Sequence, residues 1–345
     1  MSHATGAPPS PSAREVVARV TRELAAAGCI SAAAEARWLV EEAADPLALR
    51  AMVARRAAGE PLQYVVGWAP FGRLRLLVGP GVFVPRPETE GLADRAAARL
   101  RAMGPPTDRG TPPGFPGPLP IHRGTPPGFP GPLRIHRGTP LGFPGPLRPI
   151  HRGTPLGFPG PLRPIAVDLC TGSGAIACFL AAEVPGARVV ATELDPAALA
   201  WARPNTERYG VELLAGDLDA PLPGELAGRV DVLCANVPYV PSGAIPTLPR
   251  DVRDHEPRLA LDGGPDGLDV LRWVAARAGR WLAPGGFLLC EIGEDQGEAA
   301  AALLADAGLA EIAVLPDMAG GDRVVEARRG PGNPKGGAPV NEARR

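Results

Sequence analysis

The sequence predicts an α/β protein: a doubly wound, Rossmann-like sheet with a small N-terminal helical subdomain and a β-hairpin connector. Three observations predict it. From Ile165 onward short apolar runs alternate with helix-length segments, a glycine turn follows the first run, and residues 13–60 repeat their apolar side chains at helical spacing. Alternation of strand and helix buries a mostly parallel sheet between helical layers. A period near 3.6 marks an amphipathic helix.

Residues 1–12 are rich in Pro and Ser and read as a disordered tail. Ser12 is an N-cap candidate for a helix from Ala13, in which Val16, Val17, Val20 and Leu24 share a face and which Gly28 ends. A second helix runs from Ser31 through Trp38, Leu39 and Glu42, and a third from Leu47 to Ala58. Their apolar stripes are expected to pack on one another. Residues 61–104 form the connector. Val65, Val66, Trp68, Phe71, Leu74, Leu76, Val78 and Val82-Phe83-Val84 are strand-like, punctuated by Gly67, Gly72, Gly79 and Gly81, which predicts a hairpin. The following Pro85-Arg86-Pro87-Glu88-Thr89-Glu90 makes a rigid turn into a helix that ends near Met103. Its carboxylates suit a helix N-terminus, and on this reading alone the segment could be a cap and nothing more.

Residues 105–164 are an insertion built on a tandem repeat. The unit begins R-G-T-P at Arg109 and recurs from Arg123, Arg137 and Arg152. So many prolines and glycines defeat helix and ladder hydrogen bonding, and one Phe per unit is too little for a stacked core. Polyproline II or disorder is expected, with His122, His136 and His151 as passengers of the repeat rather than metal ligands.

The α/β domain spans 165–328. Strands are expected at Ile165 to Cys170, Arg188 to Glu193, Val211 to Leu214, Val230 to Ala235, Phe287 to Ile292, Ala310 to Leu315 and Arg323 to Arg328. Helices are expected at Ala175 to Ala182, Ala197 to Tyr209 behind Pro196, Gly267 to Trp281 and Gln296 to Ala307, with a turn at Pro284-Gly285-Gly286. Residues 329–345 form a second polar tail.

Composition narrows the function. The chain of 345 residues carries a net charge of −1, but residues 165–328 hold 12 Arg against 25 acids. A surface with that net of −13 is poorly suited to a phosphate backbone, so no direct nucleic-acid partner is expected. No apolar run reaches the roughly 18 residues of a membrane helix, and no signal pattern opens the chain. A cytoplasmic protein with no membrane partner is expected. Cys29, Cys170, Cys178, Cys234 and Cys290 form no C-x-x-C pair and read as buried thiols; no metal site is expected.

Candidate chemistry gathers at strand ends. Asp168-Leu169-Cys170-Thr171-Gly172-Ser173-Gly174 brings backbone close to a ligand at a helix N-terminus. It matches neither the dinucleotide G-x-G-x-x-G nor the P-loop. Glu193 ends the second strand, where a carboxylate can accept both hydroxyls of a ribose; the alternative, a helix cap, falls better to Asp195. Asp217 and Leu218 follow the third strand and could flank an adenine, or Asp217 could be a turn acid. Asn236-Val237-Pro238-Tyr239 follows the fourth. There the Asn oxygen and a backbone carbonyl can each accept one hydrogen of a flat –NH2 group, while the tyrosine ring covers its face. All four sets follow successive strands and would converge on one crevice.

These stretches resemble the protein N5-glutamine methyltransferase family of class I methyltransferases. The resemblance is carried by Pro61-Leu-Gln-Tyr-Val-Val-Gly67, Val84-Pro-Arg-Pro-Glu-Thr-Glu90, Asp168-Leu-Cys-Thr-Gly-Ser-Gly-Ala175 and Asn236-Val-Pro-Tyr239. It continues in Glu256-Pro257, Ala260-Leu-Asp-Gly-Gly-Pro-Asp-Gly267 and Glu291-Ile-Gly-Glu-Asp-Gln296. The resemblance implies S-adenosyl-L-methionine as cofactor and methylation of a glutamine side-chain amide, typically in the Gly-Gly-Gln loop of a peptide-chain release factor. It also implies that residues 13–60 recognise the substrate. Asn236 Oδ1 and the Val237 carbonyl would hold the amide hydrogens, Pro238 would stiffen the loop and Tyr239 would pack the amide plane. Asp168, Cys170, Thr171, Gly172, Ser173, Gly174, Glu193, Asp217, Leu218 and Asn236 would line the cofactor.

Two positions depart from the family pattern. Val237 stands where proline is usual, which keeps the carbonyl and changes rigidity. Cys170 stands where glycine is usual, which is tolerable if its φ is negative. Other readings are a ribosomal-protein glutamine methyltransferase, an exocyclic-amine methyltransferase of DNA or RNA, and a non-catalytic adenosyl-binding scaffold.

Overall fold

The computed structural model describes residues 12–103, 163–317 and 320–330. The expected tails and the 105–164 insertion, with its three histidines, lie outside the described residues apart from their innermost positions.

Three helices open the fold: α1 (Ala13–Ala26), α2 (Ala32–Glu42) and α3 (Pro46–Ala57). Ser12 caps α1 in a reciprocal box with Glu15, satisfying two backbone donors the helix leaves open. Val20, Leu24, Leu39, Leu49 and Val53 form a core of their own, so the apolar stripes are internal as expected. Arg56 Nε donates to Glu35 Oε2 at 2.6 Å inside this module, both side chains being nearly buried.

The connector departs from the expected strands in two places. Val65 and Val66 belong to a short helix, α4 (Leu62–Val66), bounded by Pro61 and by Gly67 at φ +84°. Those two caps override the strand preference of β-branched side chains. The hairpin itself is β1 (Trp68–Phe71) and β2 (Leu74–Leu77), antiparallel with Phe71 opposite Leu74. Val82-Phe83-Val84 joins no strand among the described residues. Its backbone is held locally instead: the Val82 N–H donates to the Gly79 carbonyl at 3.4 Å, and Tyr64 donates its hydroxyl to the Val82 carbonyl. Helix α5 (Pro87–Met103) follows, burying Leu92, Ala93, Ala96, Ala97 and Leu100.

The main sheet holds β3 (Ile165–Leu169), β4 (Arg188–Glu193), β5 (Glu212–Ala215), β6 (Val230–Ala235), β7 (Leu282–Glu291), β8 (Ala310–Pro316) and β9 (Asp322–Arg328). Their order is β5-β4-β3-β6-β7-β9-β8; β9 runs antiparallel to both neighbours and the other pairings are parallel. The helices are α6 (Ala175–Glu183), α7 (Pro196–Tyr209), the short α8 (Arg250–Arg253), α9 (Asp269–Trp281) and α10 (Gly297–Asp306). This is the Rossmann-like, seven-stranded arrangement of class I methyltransferases. Strand β7 begins earlier than expected. Pro284-Gly285-Gly286 is a bulge within it, where pairing jumps from Val230↔Leu282 to Val232↔Phe287. Apolar clusters cover both faces of the sheet. The order reverses between β3 and β4 on one side and β6 on the other, and such a switch point opens a crevice at the strand carboxyl ends.

Candidate functional site

A cavity of about 280 Å³ opens at that switch point. Of the residues singled out from sequence, Cys170, Thr171, Gly172, Ser173, Glu193, Asp217, Leu218, Asn236, Pro238 and Tyr239 line it. Asp168, Gly174 and Val237 do not.

Asp168 lies behind the glycine turn. Its Oδ2 accepts from the Thr171 hydroxyl at 2.5 Å and from the Ala177 N–H at 3.1 Å, tying the turn to α6. The residue is fully buried and Oδ1 has no hydrogen-bond partner among the described residues. Burial pushes its carboxyl up to about 7 against the pull of those two donors. Gly174 caps α6 at φ +88°. Asn205 on α7 then staples this turn to the hairpin: its Nδ2 donates to the Ser173 and Leu77 carbonyls at 2.8 and 3.0 Å, and its Oδ1 accepts from Leu77 N at 2.9 Å.

Cys170 corrects an expectation. Its φ is +54°, not negative, so the side chain sits in the left-handed region that glycine fills without strain. Leu218 on the cavity wall is likewise at φ +46°. Burial, with the charges of Glu193, Asp168 and Asp217, holds the Cys170 thiol well above the ordinary thiol range. The side chain packs against the apolar core of the sheet. Cys178, Cys234 and Cys290 are buried as expected, while Cys29 and Cys170 are half-buried.

Glu193 is more occupied than expected. Its Oε2 accepts from Gly172 N at 2.8 Å, and its Oε1 accepts from Leu194 N and Asp195 N at 2.9 and 2.8 Å. Three of the carboxylate's four lone-pair directions are in use, which leaves one for a ribose hydroxyl where the sequence suggested two. Burial raises its pKa, with the three N–H groups opposing. Asp195 takes the capping role, accepting from Ala197 N at 2.8 Å. Gly172, at φ +58°, has open space where a Cβ would stand, so the turn leaves room for a ligand against its backbone.

Across the cavity stands Asn236. Its Nδ2 donates to the Thr89 hydroxyl oxygen at 3.2 Å, so Pro-Glu-Thr-Glu is more than a helix cap. Tyr239 donates its hydroxyl to Glu291 Oε1 at 3.2 Å. Burial, then the Glu291 charge, raises the Tyr239 pKa and keeps the phenol protonated. Val237 is 2 % exposed, its side chain turned into the sheet core. Valine there keeps the carbonyl and adds apolar packing.

The loop beyond Tyr239 is locked from behind. Gln296 Nε2 donates to the Tyr239 carbonyl at 2.9 Å and to the Asp266 carbonyl at 3.2 Å, while its Oε1 accepts from Gly293 N at 2.7 Å. A Cβ on Gly267 would stand 2.2 Å from the Tyr239 carbonyl oxygen, and one on Gly263 would stand 2.6 Å from that of Pro238. Backbone can approach this closely only without side chains. Arg86 pairs with the buried Glu256 and lies over the Phe83 ring, closing the connector against the same loop. Glu256 remains raised to about 7 by burial despite Arg86. Thr89, Glu291, Gln296, Gly263 and Gly267 all fall inside stretches that carry the resemblance, but sequence reading gave none of them a role.

Comparison with known proteins decides the family. Residues 166–255 match the family model described as a methyltransferase domain. The chain is 37% identical over 318 residues to the release factor glutamine methyltransferase of Mycolicibacterium smegmatis, covering 90% of each chain. This chain belongs to the release factor glutamine methyltransferase family. A second member, from Moorella thermoacetica, is 39% identical over 280 residues, covering 80% of this chain and 77% of its own. The Streptomyces coelicolor member is 36% identical over 279 residues, covering 81% and 79%. These relatives are, by name, protein-(glutamine-N5) methyltransferases that act on release factors. No described helix is long and apolar enough to cross a membrane, and no cluster of potential metal ligands occurs among the described residues.

Proposed function

We propose that this chain transfers a methyl group from S-adenosyl-L-methionine to the side-chain amide nitrogen of a glutamine in the Gly-Gly-Gln loop of a peptide-chain release factor. The observation that carries this reading is Asn236, whose Nδ2 is held by Thr89 so that Oδ1 is the edge left for a guest. Asn236 lines the same cavity as the Gly172 turn and Glu193.

An amide nitrogen is a poor nucleophile because its lone pair is delocalised into the carbonyl. Asn236 Oδ1, on the cavity wall, would accept one of its hydrogens and a backbone carbonyl of the Asn236–Tyr239 loop the other, fixing its direction. Tyr239 packs the amide plane, and Pro238 with Gln296 stiffens the loop. Positioning of this kind supplies up to roughly 7–11 kcal/mol when near-attack geometry is reached. Glu193, the Gly172–Gly174 turn and the Asp217-Leu218 pair would hold the cofactor, which supplies an electrophilic methyl when bound. The residues fit that role: a carboxylate with one open lone pair, a turn with free space over its backbone, and an apolar wall. No base removes the amide proton beforehand; it leaves with or after transfer.

The test is transfer of a labelled methyl to purified release factor, beside an oligonucleotide and ribosomal proteins. Label on the loop glutamine supports the reading. Label on nucleic acid alone overturns it, in spite of the net −13 of residues 165–328.

A further inference from the structure

Leu218 lines the cavity at φ +46°. It is the second residue of a four-residue turn, closed by the Ala220 N–H on the Asp217 carbonyl at 2.9 Å. A positive φ at that place suits Gly, Asn or Asp. A leucine held there is strained, and it stays only where its surroundings over-determine the backbone.

The third residue of the same turn supplies the hold. Asp219 is 4 % exposed and lies behind the cavity lining. Its Oδ2 accepts from the Trp281 Nε1–H at 2.8 Å, and its Oδ1 accepts more weakly from the Trp273 Nε1–H at 3.4 Å. Arg277 Nε stands 3.6 Å from Oδ1, an ion pair beyond hydrogen-bond range, and its guanidinium lies over the Trp273 ring at 4.1 Å. The Asp219 carbonyl accepts from Leu222 N at 3.2 Å, so main chain and side chain are both pinned. Trp273, Arg277 and Trp281 follow one another at steps of four on α9 and share one face of it. Val270, on the same helix, lines the cavity. An indole N–H only donates and a carboxylate only accepts. A buried carboxylate is costly unless donors meet it, and here one helix presents a donor to each oxygen.

We propose that Asp219 is a positioning residue: held by Trp281 and Trp273, it locks the Asp217–Ala220 turn in the shape that sets Leu218 against the adenine of the cofactor. It rests on the cofactor proposed for this site. The brace comes from far along the chain, Trp273 and Trp281 lying 54 and 62 residues beyond Asp219.

The experiment is calorimetric titration of Asp219→Ala, Asp219→Asn, Trp281→Phe and the Asp219→Ala/Trp281→Phe pair. The probes are S-adenosyl-L-homocysteine and the shorter 5′-methylthioadenosine, each used well below the variant's Tm. Asp219→Ala is expected to weaken S-adenosyl-L-homocysteine by about 10-fold, the scale of hydrogen bonds to a charged group. Methylthioadenosine is expected to lose the same factor, because the change lies at the base and not at the amino-acid end. Trp281→Phe removes the shorter bond and leaves the Trp273 bond, and Asp219→Asn keeps an acceptor; each is expected to lose about threefold. The double variant is expected to match Asp219→Ala rather than the product of the two single losses, since both changes break one interaction. The KM for cofactor is expected to rise with Kd while kcat at saturating cofactor stays within about twofold.

A merely structural Asp219 would lower Tm and leave both affinities at the wild-type value, and that result overturns the proposal. So does a loss confined to S-adenosyl-L-homocysteine, or losses that multiply in the double variant. Should Asp219→Ala not fold, wild-type affinity in both Asp219→Asn and Trp281→Phe overturns it. A wild-type chain that binds no adenosyl compound contradicts the cofactor reading itself, an outcome distinct from a wild type that binds and variants that match it.

Discussion

The two walls of the cavity are built in opposite ways. The cofactor wall is local and strained. Asp168 to Gly174 is one run of chain, held by its own buried carboxylate with single braces from Glu193 and Asn205, and it tolerates Cys170 at φ +54° and an Asp168 oxygen without a hydrogen-bond partner among the described residues. The substrate wall is assembled from distant parts. Asn236 and Tyr239 are held by Thr89, Glu291 and Gln296 from three other elements, with Gly263 and Gly267 packed against the loop backbone. The difference follows from what each wall must do. A ligand laid along backbone amides needs only a turn of the right shape. A guest amide aimed at a methyl group needs its partners fixed in direction, and that takes support from several sides.

The comparison can be broken most sharply at Asn236. Asn236→Ala is expected to lower transfer by about 10²–10³-fold, the scale for removing one preorganised hydrogen-bonding group, with cofactor affinity nearly intact. Labelled-methyl assays and calorimetry on the same variant check both halves. Loss of cofactor binding with no separate effect on transfer would move Asn236 to the other wall.

Next in size is Gly267→Ala. The added Cβ would stand 2.2 Å from the Tyr239 carbonyl oxygen and 2.5 Å from Gln296 Nε2, at φ +78°. Strain and overpacking together should cost roughly 2–5 kcal/mol, seen as a lower Tm and a loss of turnover. A variant with wild-type Tm and kcat would show that the substrate wall is not rigid.

On the cofactor wall the effects are smaller and depend on pH. The Asp168 carboxyl is raised from 3.8 to about 7 in the fold. The folded state therefore binds the proton more tightly than the unfolded chain. Its contribution to stability is fully present below about pH 4 and is lost as pH rises through about 7, at most about 4 kcal/mol. Asp168→Asn is expected to flatten that part of the stability profile, measured by denaturant unfolding between pH 5 and 8. An unchanged slope would show that Asp168 is ionised throughout.

Smallest is Cys170→Gly. Relief of left-handed strain, about 1–2 kcal/mol, is largely offset by the entropy glycine loses on folding, about 0.5–1 kcal/mol. A net gain of no more than about 1 kcal/mol with unchanged cofactor affinity is expected from thermal unfolding and titration.

The same contrast explains what could be read in advance. The sheet, its helices and the residues at four strand ends were legible because each is written in contiguous sequence: an apolar run, a turn, then a helix with Asp195-Pro196 at its head. The supports of Asn236 and Tyr239 were not. Thr89 reads as a cap residue and Glu291 as a strand end until folding brings them together. Val65-Val66 misled because β-branched side chains favour strands in isolation, whereas Pro61 and Gly67 set the ends of a helix. Val82-Phe83-Val84 misled because alternation marks burial of alternate residues, not a partner strand; Val82 and Val84 are buried, yet Val82 bonds to the Gly79 carbonyl and the Tyr64 hydroxyl rather than to a strand. The sign of φ at Cys170 has no local signature once glycine is replaced.

The most direct measurement is mass spectrometry of release factor co-expressed with this chain and with its Asn236→Ala variant. The account predicts one added methyl on the side-chain amide of the loop glutamine with the wild-type chain, and none above background with the variant. An unmethylated loop glutamine alongside an enzyme that binds the cofactor, or equal methylation by Asn236→Ala, would contradict it.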